Sequence, residues 1–229
     1  RIRVERGLLT HYRSSAKRRR IQSWSLHEGV LHRWFKRRSL RVQTASGQRG
    51  EAGQQSLKEL APVATPTRCD ELIHHFLPDA GWDALAWQPL HRHAWWRIAV
   101  PGLLLVAMGT AALAWRFGPV GLAGLALLPL QLWRARRIAA ACGYACNDRL
   151  VAWRTGWLSK RWNFAEIGKI QALRLAQSPL DRRLGMASLL LDTAGASPFG
   201  APLQLRQLPD DVARALSARL VAQLSRRRV

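Results

Sequence analysis

Acidic side chains are scarce in this 229-residue chain: 14 Asp and Glu stand against 36 Lys and Arg, for a formal net charge of +22. The few acids are dispersed, and none is read as an acid–base or metal centre. A phosphate-cradling glycine motif, an HExxH helix and a GxSxG elbow are also missing, and no enzyme, cofactor or metal is expected. Cys69, Cys142 and Cys146 are an odd number without a pairing framework, which fits a reducing compartment. Cys142 and Cys146 read as one helical turn apart and as small apolar residues. The pairs His74–His75 and His91–His93 lack a third ligand at useful spacing. No charged n-region with a cleavage site follows Arg1, so no signal peptide is read; with Arg rather than Met first, the chain is expected to be a fragment.

Uncharged length, by contrast, is plentiful in the middle. Ile98–Trp115 is eighteen residues without a charge, and Val120–Trp133 is a second uncharged run of fourteen. A membrane helix needs about 20 apolar residues, which the first run meets with Trp95 and Trp96 as interfacial anchors. The second is short, reaching about 21 Å as an α-helix. It spans only if Gly118 and Pro119 join it and Arg134, Arg136 and Arg137 snorkel. Trp95, Trp96, Arg97, Trp115, Trp133, Arg134, Arg136 and Arg137 mark the ends of the runs in the belt pattern of membrane helices. The alternative is a helical hairpin buried in a soluble domain. The expected division is a domain over 1–80, a linker over 81–94, membrane helices over 95–117 and 118–137, and a domain over 138–229. Arginines flank both outer ends and only Arg116 lies between the runs, so both polar segments are expected in the cytoplasm.

Those two polar segments repeat each other. The stretch from Gly7 and the stretch from Gly156 align without a gap at a constant separation of 149 residues. Ile21 and Gln22 meet Ile170 and Gln171, Leu26 meets Leu175, Arg33 meets Arg182, and Thr44 and Ala45 meet Thr193 and Ala194. Alternation of Trp24 and Leu26 with serines, of Leu40, Val42 and Thr44 with Arg41 and Gln43, and of Leu189, Leu191 and Thr193 predicts half-buried strands. Gly7 and Gly156 read as hairpin turns. Each copy then ends in an amphipathic helix, through Cys69, Leu72, Ile73, Phe76 and Leu77 in the first and Val212, Leu216, Leu220 and Leu224 in the second. Asp192, the one acid that suggests chemistry, is read as a solvated strand residue whose counterpart is Gln43.

From Tyr144 to Gly195 the sequence resembles the bacterial pleckstrin-homology-like (PH-like) domain of YdbS and YdbT type membrane proteins. The resemblance rests on Asn147-Asp148-Arg149, Gly156, Ile170-Gln171, Gln177-Ser178-Pro179-Leu180, Leu184-Gly185 and Thr193-Ala194-Gly195. It implies an α+β chain in which two PH-like small β-barrels, each closed by a C-terminal helix, flank a two-helix transmembrane hairpin in the inner membrane. The first copy departs from it, with Gly29-Val30 for Ser178-Pro179, Lys36 for Gly185, and an inserted Gly/Gln-rich loop from Gly47 to Gln55. Its counterpart of Tyr144–Arg149 would precede Arg1, so its first strand is expected to be lacking.

The basic clusters point to a polyanion. Lys17, Arg18, Arg19, Arg20, Lys36, Arg37 and Arg38 are the candidates for lipid head-group contact, worth about 1 kcal/mol per residue near the surface; Arg226–Arg228 is a weaker one. Lipid is the nearer polyanion for a tethered domain, and no nucleic-acid module is recognised. The reading is a membrane-anchored binding or assembly module that contacts anionic lipid and a protein partner or a second copy. The alternative is a basic nucleic-acid-binding protein with a buried hairpin.

Overall fold

The computed structural model describes residues 2–6, 12–16, 21–44, 59–78, 80–193 and 203–226. The repeat is visible in its elements. The first copy runs β1 (Ile2–Arg6), β2 (Tyr12–Ala16), β3 (Ile21–Glu28), α1 (Val30–Trp34), β4 (Arg38–Thr44), β5 (Glu59–Ala64) and α2 (Pro66–Phe76). After a short β6 (Gln88–Pro89) come α3 (Ala94–Phe117), a 3-10 helix (Gly118–Ala126) and α4 (Leu127–Ala141). The second copy runs β7 (Gly143–Cys146), β8 (Leu150–Thr155), β9 (Lys160–Glu166), β10 (Ile170–Ala176), α5 (Pro179–Arg183), β11 (Met186–Thr193), β12 (Leu203–Pro209) and α6 (Asp210–Arg226). The 149-residue separation carries β1 onto β8, β2 onto β9, β3 onto β10, α1 onto α5 and β4 onto β11.

Alternation does its expected work. Trp24, Leu26, Leu40 and Val42 are buried, as are Leu189, Leu191 and Thr193, whereas Arg41 and Asp192 are exposed. Thr65 caps α2, its hydroxyl accepting from the Arg68 N–H at 3.4 Å with Pro66 as the first helical residue, and Cys69, Ile73 and Leu77 face inward. Gly156 turns β8 into β9 at φ +89°, where a Cβ would strike the Ser159 carbonyl. Gly7 and the 47–55 loop lie outside the described residues.

Two separately closed barrels are not what forms. The strands make a seven-stranded antiparallel sheet in the order β5-β4-β3-β9-β8-β7-β6, a three-stranded sheet β10-β11-β12, and the pair β1-β2. The seam between the copies is β3 against β9, with Trp24 opposite Phe164 and Leu26 opposite Trp162. The backbone edge that would let each copy remain an isolated barrel is thus used to join them. Side chains of β7, β8 and β9 consequently bury on both faces. Ala145, Leu150, Ala152 and Phe164 enter one core with Trp24, Leu40 and Ile73. Tyr144, Val151, Trp153 and Ala165 enter the other with Leu189, Leu205, Leu216 and Leu220. A strand buried on both sides reads as a continuous apolar run, as Leu150-Val151-Ala152-Trp153 does.

Cys142 and Cys146 are not one helical turn apart: Cys142 ends α4 and Cys146 ends strand β7. All three cysteines are free, and burial raises their thiol pKa values. Between the copies, the 3-10 segment and α4 fold back along α3. A Cβ on Gly121 would meet the backbone of Leu113 and Ala114, one on Gly124 would sit 2.6 Å from Thr110 Oγ1, and one on Gly102 would sit 2.8 Å from Gln131 Oε1. The helical segment Ala94–Ala141 is long and apolar enough to cross a membrane, and only 11% of its most apolar window is buried.

Candidate functional site

Where the second copy meets the base of α4, an aromatic and basic surface is assembled. The β8–β9 turn places Trp157 edge-on against Trp133 of α4, with ring centroids 5.1 Å apart. The Arg137 guanidinium lies over both rings, at 5.6 and 5.7 Å. From the first copy, Arg33 of α1 donates to the carbonyls of Trp157 and Leu158 at 3.2 and 3.4 Å, and His27 pairs with Ser159 at 2.8 Å. Helix α1 is therefore held beside the end of α4 by backbone acceptors that any turn sequence would supply.

What α1 presents there is apolar. Val30, Leu31, Trp34 and Phe35 are 56%, 67%, 81% and 70% exposed, and Leu158 beside them is 56% exposed. Trp34 and Phe35 stack at 6.5 Å, so they offer one aromatic face rather than two separate side chains. Lys36 and Arg37 border that face and are exposed. A contiguous apolar patch on a soluble surface marks a contact surface, and aromatics rimmed by cations suit the boundary between head groups and acyl chains.

The basic candidates sort into three groups. Lys36 and Arg37 lie on this surface. Arg38 is used inside the fold: it donates to Glu28 at 2.8 Å, approaches Asp70 at 3.9 Å and stacks over Trp162 at 5.3 Å. Burial opposes ionisation of Glu28, but hydrogen bonds from Arg38 and Arg33 outweigh it and hold the carboxyl below its ordinary value. Lys17, Arg18, Arg19 and Arg20 lie outside the described residues, as do Arg227 and Arg228 of the tail.

The interface anchors are likewise divided. Trp95 and Trp96 stack at 4.5 Å, and Arg136 lies 4.5 Å over Trp95. Trp95 and Arg136, with Pro89, Leu90, His91, Arg92, Ala139 and Ala140, line a cleft of about 230 Å³ at the base of α3 and α4. Trp115 is 93% exposed at the other end of α3, near Arg116, while Arg134 is exposed on α4. Arg97 does not reach outward. It pairs with Asp181 of α5 at 3.3 Å, half-buried. Asp181 was not singled out from sequence, yet it is buried and closes a reciprocal cap with Ser178, each bond 3.1 Å. The spacing Ser178-x-x-Asp181 was the available signal. Among the described residues no group of three His, Cys, Asp or Glu is placed to hold a metal: His74 pairs with Asp83 and His91 lies against His93.

Comparison with known proteins decides the family. The model of the bacterial PH domain matches residues 1–75 and 97–225, most of the chain in two segments. The chain belongs to the bacterial PH domain family. The two matched segments each contain one copy of the repeat. No curated protein and no solved structure matches it.

Proposed function

We propose that this bacterial PH domain protein is a membrane-anchored binding and assembly module of the YdbS/YdbT kind, with both copies on the cytoplasmic side and the α1 corner resting on the lipid surface. The observation that carries this is the position of the exposed Val30-Leu31-Trp34-Phe35 face beside Trp157 and Trp133, at the base of an apolar segment that is itself left bare. A buried-core hairpin would hide that segment; among the described residues only 11% of its most apolar window is covered.

The geometry of the second leg supports a full crossing. A 3-10 helix rises about 2.0 Å per residue, so Gly118–Ala126 covers about 18 Å, and α-helical Leu127–Trp133 brings the leg to about 28 Å. That is close to the ~30 Å hydrocarbon core, which the same residues would not reach as an α-helix. At the near interface Arg136 and Arg137 lie over tryptophans, where both the ring quadrupole and lipid phosphates attract them. Lys36 and Arg37 are the cations this surface offers to anionic head groups. The same surface leaves the rest of the soluble part free for a protein partner.

The test is partition and depth. The protein should stay with membranes until detergent is added; recovery in the soluble fraction would end this reading. A spin label at Phe35→Cys in lipid nanodiscs should be more accessible to oxygen than to a water-soluble nickel chelate, and the reverse ratio would remove α1 from the lipid surface.

A further inference from the structure

We propose that the cleft at the base of α3 and α4 is a head-group site for one anionic phospholipid, with its phosphate between Arg92 and Arg136 and its acyl chains along the bare helices. The proposal deepens the membrane reading and rests on it, but on a surface other than the α1 corner. His91 and Arg92 lead into α3, Trp95 stands in its first turn, and Arg136, Ala139 and Ala140 belong to the last turns of α4. The polar ends of the two helices thus enclose a hollow of about 230 Å³. Beyond it, exposed Leu104 and Leu105 of α3 and Leu130 of α4 continue along the apolar segment.

Among the described residues that line this hollow, side chains donate or are apolar, and none is an acid. Arg92, Arg136 and Trp95 have N–H donors and no acceptor. His91 joins them. Its Nδ1 accepts the His93 backbone N–H at 3.2 Å, so the neutral ring carries its proton on Nε2. Burial first, then His93 and Arg92, hold that ring below its ordinary pKa against the pull of Asp211, so neutral is its form at pH 7. Neither arginine meets a counter-charge. Arg92 donates to His93 Nε2 at 3.2 Å, Arg136 lies 4.5 Å over the Trp95 ring, and among the described residues neither pairs with a carboxylate. Other arginines near these helix ends are committed elsewhere, Arg97 to Asp181 at 3.3 Å and Arg154 to the Ala141 carbonyl at 3.1 Å. A ring face attracts the charge of Arg136 but offers no oxygen to its N–H fork, and a phosphate does.

The occupant is a lipid rather than part of this chain or a free anion. Outside the described residues the chain holds only two acidic side chains, Glu51 and Asp79, beside its basic runs, so its own remaining segments bring little negative charge. A free phosphate would satisfy the donors and leave the hydrocarbon of Leu90, Ala139 and Ala140 facing water. At about 230 Å³ the hollow is smaller than the ~300–1,000 Å³ of a typical small-molecule site, which suits a phosphate and its glycerol with the chains outside. Basic pockets between membrane helices on the cytoplasmic side hold anionic head groups in this way.

Native mass spectrometry of the full chain, purified in detergent and offered phosphatidylglycerol or phosphatidylcholine, tests this. One phosphatidylglycerol per chain should be retained in preference to phosphatidylcholine. Arg92→Gln with Arg136→Gln should weaken that retention by about tenfold or more, as the loss of charge-assisted bonds implies. Ala140→Leu, which fills the hollow and keeps both charges, should weaken it as well, whereas Arg174→Gln on exposed β10 should not. Unfolding midpoints in detergent alone report that each variant is folded, and Ala140→Leu carries the test if the arginine pair does not fold. Retention that survives Ala140→Leu would assign the effect to net charge and remove the site. Free glycerol 3-phosphate bound as tightly as the lipid would make the ligand a soluble phosphate ester and overturn the proposal. A protein that stays with membranes yet shows no preference for phosphatidylglycerol loses this site alone. One recovered in the soluble fraction loses the membrane reading and this site with it.

Discussion

Helices α1 and α5 occupy the same place in the two copies and have become different things. α5 begins at Ser178 with a reciprocal cap to Asp181, has Pro179 first, and is fastened to α3 through Arg97. α1 begins at Gly29 with no side-chain cap and turns Val30, Leu31, Trp34 and Phe35 outward. Even the residue that ends the turn differs, since Gly185 and Lys36 both take left-handed backbone, at φ +67° and +49°, and only the glycine does so without cost. One corner is a joint between the second copy and the apolar helix α3; the other is an exposed surface. Duplication supplied the same scaffold twice, and the side chains on it record two uses.

That contrast gives the strongest prediction at the joint. Asp181→Asn should destabilise the protein by about 3 kcal/mol, because it leaves Arg97 half-buried without its counter-charge and weakens the cap. Thermal unfolding in detergent measures it; an unchanged midpoint would mean that α5 is no more fastened than α1. A smaller loss, about 2 kcal/mol, is expected for Glu28→Gln, which takes the shared acceptor from Arg33 and Arg38.

The same carboxyl gives a pH dependence. Its folded pKa is depressed, so its contribution is full above the ordinary carboxylate range and is lost as pH falls through the folded value. His27 and His91 are depressed too, by burial first and then by neighbouring cations, chiefly Arg161 for His27 and His93 for His91. Both impose a cost as pH falls below about 6.5, the unfolded value. The protein should thus lose stability in two acid steps, of which Glu28→Gln removes the lower.

At the turn, Lys36→Gly should stabilise by about 0.5–1 kcal/mol, and Gly185→Ala should destabilise by about 1 kcal/mol. Equal and unsigned effects would mean the two turns are not equivalent. Smallest in stability is the double variant Trp34→Ser, Phe35→Ser. It should move the unfolding midpoint hardly at all, since both rings are exposed, while weakening contact of the soluble part with anionic bilayers.

The alternation of Trp24, Leu26, Leu40 and Val42, the cap at Thr65 and the repeat itself were legible because each is written in side-chain type at fixed spacing. The seam was not. β3 joins β9 through backbone groups that every residue carries, so nothing in Ser25 or Asn163 announces the partner. The same holds for α1, whose place beside Trp157 depends on carbonyls of the β8–β9 turn. The second apolar leg is short for a bilayer at the α-helical rise, and the side chains do not announce that its Gly- and Pro-containing stretch takes the longer 3-10 rise. Arg38, grouped with its neighbours as a lipid contact, turns inward because Glu28 lies within reach across the turn.

The shared sheet also dictates an order of events at birth. Trp24, Leu40 and Ile73 share a core with Leu150, Ala152 and Phe164, which a ribosome makes only after the whole of α3 and α4. The first copy cannot close its core until the chain between has been made in full. Its half-made sheet must wait, open, for strands of the second copy. Completing the fold thereby certifies that the second copy has been made and has come back beside the first.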